Sequence, residues 1–81
     1  MPKYKDEYSE VKVGDREMLL PKRLVGMLQM AAYDWPRVEI AKHYELSVRT
    51  VEAHFDRVRK ACGKRTFAGL LVELKRNNAI Q

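Results

Sequence analysis

The chain has 81 residues, with 16 lysines and arginines against 11 aspartates and glutamates, for a formal charge of +5. A chain this short makes one small domain that buries only about 60% of its unfolded surface. Its single cysteine, Cys62, excludes an internal disulfide framework and a multi-cysteine zinc site, and His43 and His54 are too few and too far apart for a metal site.

The first stretch, Met1-Pro-Lys-Tyr-Lys-Asp-Glu7, is polar where a signal peptide needs an apolar run. No apolar run approaches the roughly 20 residues that span a bilayer. The lone thiol fits a reducing compartment. A cytoplasmic, membrane-free, stand-alone gene product is expected.

Residues 1–20 form an N-terminal arm or hairpin. Val11-Lys-Val13 alternates apolar and polar as a half-exposed strand does, and Gly14-Asp15 is a turn signal. A hairpin over roughly residues 8–20 competes here with a disordered charged arm. Residues 21–81 read differently. Leu24, Val25, Leu28, Ala31 and Ala32 recur at three- and four-residue steps, the stripe of an amphipathic helix that Pro21 opens. Asp34-Trp35-Pro36 breaks that helix, and Asp34 is placed to cap the next. Ile40, Ala41 and Tyr44 are the buried side of a short second helix. After Glu45-Leu46, Ser47 is a natural N-cap for a third helix over about 48–62, with Val51, Phe55, Val58 and Cys62 on its inner face. Gly63 ends it. Thr66 caps a fourth helix carrying Phe67, Leu70, Leu71 and Leu74, and Asn77-Asn78 closes it.

Charge is not spread evenly. Between Arg49 and Arg65 lie six basic residues and two acidic ones, so most of the excess sits on the third helix and just after it. Clustering of this kind is the electrostatic footprint of a nucleic-acid-binding face. A major groove about 12 Å wide takes a helix that keeps small and polar side chains outward. A short preceding helix must brace it across a tight turn. Val38–Gly63 meets those conditions, although periodicity alone suits any small helical bundle equally well.

The residues themselves tip that balance. Glu39-Ile-Ala41, Leu46-Ser47, Arg49-Thr-Val51, His54, Val58-Arg59, Gly63 and Arg65 resemble the LuxR/FixJ (GerE-like) type of helix-turn-helix domain, without gaps from Leu20 to about Leu71. The resemblance implies an all-α, four-helix domain. It also implies DNA binding through the third helix and dimerisation through the fourth. The chain departs from the family at Pro21 and Leu24, where a capping box is lost, and at Asp34, Ala61, Cys62 and Gly69.

On this reading the DNA-binding residues are Ser47, Arg49, Thr50, Glu52, Ala53, His54, Arg57, Lys60 and Lys64. Arg49, Glu52 and Ala53 are the candidate base contacts. Thr50, Arg57, Lys60 and Lys64 suit phosphate, and the resemblance gives His54 that role too. Arg65 is expected to fix the start of the fourth helix, and Asp56, beside Arg57, to trim the positive face. Trp35 is expected to seal a helix junction, and Cys62 to be an inert buried thiol. Phe67, Leu71, Leu74 and Ile80 are candidate dimer residues. No nucleophile–base pair and no glycine-rich phosphate loop is legible, so neither enzyme nor cofactor is expected. The expected function is that of a homodimeric transcription regulator binding double-stranded DNA, with RNA polymerase or another LuxR-type regulator as a further partner. The alternative is a protein-interaction module that binds and blocks such a regulator.

Overall fold

Strand alternation at the N-terminus builds an antiparallel hairpin. The computed structural model describes residues 7–13 and 16–81, so the expected Gly14-Asp15 turn lies outside the described residues. β1 (Tyr8–Val13) pairs with β2 (Arg16–Pro21), setting Ser9 opposite Leu20 and Val11 opposite Met18. That register puts Val11, Val13, Met18 and Leu20 on one face. An isolated two-stranded hairpin is marginal in water. This one is supported because Val11, Val13 and Leu20 join the same buried cluster as the helices. The change from strand to helix falls between Pro21 and Lys22, and the hairpin shares the helices' core.

Four helices follow: α1 (Lys22–Ala32), α2 (Arg37–His43), α3 (Val48–Ala61) and α4 (Phe67–Arg76). Pro21 is the N-cap of α1, and Leu24, Met27, Leu28 and Ala31 are its buried residues, while Val25 and Ala32 are only half-buried. Mid-helix Gly26 sacrifices about 1 kcal/mol of helix propensity. Its missing side chain makes room for Tyr44, since a Cβ there would stand 2.5 Å from the Tyr44 hydroxyl.

The α1–α2 junction corrects two expectations. Asp34 does not cap α2; the N-cap is Pro36, with no side-chain bond. Asp34 instead takes the left-handed conformation, φ 66°, and its N–H donates to the carbonyl of Ala31. A short polar residue tolerates that conformation better than most. Trp35 is 44% exposed, so it does not seal the junction. Its backbone N–H binds Met30 and closes the turn, while its ring remains outside.

The α2–α3 connection is tight. Glu45 turns at φ 56°, and the Leu46 N–H reaches the Ala41 carbonyl at 2.8 Å. Ile40 and Ala41 are buried beneath α3, and Leu46 is packed half-buried against the core. Gly63 adopts φ 69°, the left-handed position where glycine pays no Cβ penalty. Thr66 caps α4 by accepting the Gly69 N–H at 3.0 Å. Beyond α4, Ile80 turns back into the core. The hairpin holds the far end of α3, because Arg16 donates to the Ala61 carbonyl and the Cys62 thiol lies 3.7 Å from the Met18 sulfur.

Candidate nucleic-acid interface

α3 begins on Ser47, whose hydroxyl accepts the Thr50 N–H at 3.0 Å and lies 2.9 Å from the Thr50 hydroxyl. That cap satisfies one of the orphan donors of the first turn. Val51, Phe55 and Val58 are buried on the inner face, with Val51 at 0% exposure. At about 3.6 residues per turn, the outer face falls to Arg49, Ala53 and Lys60 along its centre. Thr50, His54 and Arg57 form one edge, and Glu52 and Asp56 form the other. Arg49, Glu52, Ala53, Arg57 and Lys60 are exposed; Thr50 and His54 are half-buried.

The two edges differ in charge. On the basic edge, His54 lies within the field of Arg57 and of Arg23, which reaches it from α1. Burial first, then those two guanidinium groups, push its pKa below the ordinary 6.5. His54 is therefore a neutral imidazole at pH 7, a hydrogen-bond donor rather than a fixed charge. On the opposite edge, Asp56 binds Arg59 at 2.6 Å and Lys60 at 3.0 Å. The hydrogen bonds from Arg59 and then Lys60 hold its carboxyl below the usual range. Asp56 therefore trims the positive face through Arg59 and Lys60.

Lys64 stands apart from the other expected contacts. It is half-buried after the helix end and pairs with Glu73 of α4 at 3.2 Å. Arg59 turns inward too, donating to the carbonyls of Lys64 and Arg65. Arg65 thus contributes its backbone, and its exposed side chain does not fix α4. Among the described residues, no hydrogen bond or ion pair engages Arg49 or Arg57.

The expected dimer residues also divide. Leu74 and Ile80, 1% and 4% exposed, belong to the chain's own core and leave no surface for a second copy. Phe67 stacks on Phe55 with ring centroids 4.8 Å apart, and Leu71 is half-buried. Val72, which the periodicity did not single out, is a large apolar residue left exposed on α4.

Arg37 escaped the sequence reading. The Arg37 guanidinium lies 4.9 Å from the Phe55 ring and 4.6 Å from the Phe67 ring, tying α2, α3 and α4 together by cation–π contact. An arginine and two phenylalanines spread over three helices leave no local pattern. Arg23 was legible only as a basic residue on α1. Cys62 is half-buried rather than buried, and desolvation raises its thiol pKa, which keeps it protonated at pH 7. Among the described residues, no group of three or more His, Cys, Asp or Glu side chains could hold a metal ion, and no helix is long and apolar enough to cross a membrane.

Comparison with family models, with curated proteins and with solved structures returned no match.

Proposed function

We propose that the chain binds double-stranded DNA as a LuxR/FixJ-like helix-turn-helix transcription regulator, docking the N-terminal half of α3 in the major groove. The observation that carries this reading is the outer face of α3. Arg49 and Arg57 project from a buried, capped helix and make no hydrogen bond or ion pair with another described residue. A helix whose inner face is locked into a core while its outer guanidinium groups stay unpaired is suited to bind an external anion. Ala53, exposed between them, keeps the face flat enough to enter a groove.

The geometry favours a narrower contact set than the full basic segment. Arg49, Thr50, His54 and Arg57 are the groups for phosphate, with Arg23 beside them. Arg49, Glu52 and Ala53 remain the candidates for base edges. Lys64 is occupied with Glu73 and drops out of the leading contacts. Pairing of two copies would use Leu71 and Val72 on α4, because Leu74 and Ile80 are buried.

Titration of duplex DNA at several salt concentrations tests the reading. Log affinity falls linearly with log salt, by about 0.9 per phosphate neutralised. Arg49→Ala weakens binding without changing the helix content. Undetectable binding at low salt, or binding that ignores Arg49→Ala, refutes it.

A second reading draws on one specific observation. Tyr33, Trp35 and Val38 leave large apolar side chains exposed around the α1–α2 junction. Exposed apolar clusters mark protein contacts. If the chain captures another regulator instead of DNA, Trp35→Ala abolishes that capture, whereas Arg49→Ala leaves it intact.

A further inference from the structure

A cavity of about 250 Å³ opens between β2, the start of α1 and the second half of α3. Its floor is apolar, formed by the buried side chains of Leu24, Met27 and Val58. Its rim is basic, formed by Arg23, His54 and Arg57. Among the described residues, no acidic side chain lines it. Apolar cavities hold water poorly, because water there finds too few polar partners. An apolar group entering would recover the dispersion contacts that the floor lacks. The rim sets the sign of the other end: it offers guanidinium groups and an imidazole, which suit a carboxylate.

We propose that this cavity binds a small apolar carboxylate, tail on the floor and carboxylate at Arg57 on the rim. At about 30 Å³ per water-sized volume, the space takes a chain of about eight carbons. The site stands on the cavity and its charge alone. Its consequence for regulation rests on the DNA-binding reading: an occupied rim neutralises Arg57 and covers His54, so ligand and DNA compete for one edge of α3.

The probes are sodium octanoate and the neutral octan-1-ol, followed by the methyl resonances of Met18, Leu24, Met27 and Val58. Octanoate is expected to shift them saturably with a Kd on the order of 0.1–1 mM, as a ligand of this size allows. The alcohol should bind about fivefold or more weakly, and Arg57→Gln should lower octanoate affinity while sparing the alcohol. Ala61→Trp, at an exposed position beside the mouth, should block both probes without disturbing the core. Absent saturation, shifts centred on other methyls, or equal affinity for the acid and the alcohol overturns the proposal. A parallel DNA titration with and without octanoate reads the competition. A chain that binds no DNA loses the functional reading, while the methyl shifts still decide the cavity.

Discussion

Arg57 and Lys64 both belong to the basic segment, yet the protein uses them in opposite ways. Arg57 stands on the open edge of α3 with no hydrogen-bond or ion-pair partner among the described residues. Lys64 sits after the helix end, folded against Glu73. Glu73 is buried at the centre of a local network that also takes the Asn77 amide at 2.9 Å and approaches Arg76 at 3.9 Å. One region keeps its cations available; the other uses its cations to stabilise a buried carboxylate. Net charge along a sequence therefore overstates the charge that a ligand can meet. What counts is whether each cation has an internal anion within reach.

The largest test of this contrast concerns the inner face of α3. Phe55→Ala removes a buried ring and also the support of Arg37. It is expected to cost about 3–5 kcal/mol, measured by urea unfolding. That is a large part of the roughly 4–12 kcal/mol expected for a chain of this length. An exposed-face change such as Arg49→Ala should stay within about 0.5 kcal/mol. Similar losses from the two would mean that the outer residues are structural.

Next in size is Glu73→Gln, which leaves Lys64 without its anion. A loss of about 1–3 kcal/mol in stability is expected. If Glu73 is replaced at no cost, the closed character of the α4 region fails.

The two cations can then be compared directly. Arg57→Ala should lower the slope of log affinity against log salt by about 0.9, whereas Lys64→Ala should leave it nearly unchanged. Equal changes would put Lys64 back on the proposed DNA face.

The smallest expected effect is the pH response of His54. Its folded pKa lies below the ordinary 6.5 because of burial and the charges of Arg57 and Arg23. Below pH 6.5 the unfolded chain therefore takes up the proton first. The His54 contribution to stability is fully present above that pH and is lost as pH falls through the folded pKa. DNA should act in the opposite direction, since phosphate favours the imidazolium. Affinity is thus expected to rise on acidification from pH 8 to 6, and His54→Gln should flatten that rise. A pH profile identical in the variant would remove His54 from the contact.

Local signals were legible in the sequence. Ser47 and Thr66 cap α3 and α4 because a hydroxyl needs only the next turn's N–H, and Gly63 ends α3 because left-handed backbone suits glycine. The inner stripe of α3 could also be read, since its step matches the helical period. What could not be read depends on tertiary direction. Trp35 lies outside any regular element, so no period told whether its ring turned in or out. Leu74 and Ile80 were equally plausible as core or as dimer surface until the chain after Asn78 was seen to fold back. Lys64 and Glu73 meet only because Gly63 and Thr66 redirect the chain between them. In the candidate site, the helix and its outward residues were legible. The inequality of its two edges was not, because it depends on Arg23 from α1 and on the partners Asp56 chooses.

Arg37 has a consequence for how the protein opens. Its guanidinium rests on rings contributed by α3 and α4 while its backbone belongs to α2. Separating any one of these helices breaks contacts to the other two. The three should therefore lose amide-exchange protection together, as one cooperative foldon.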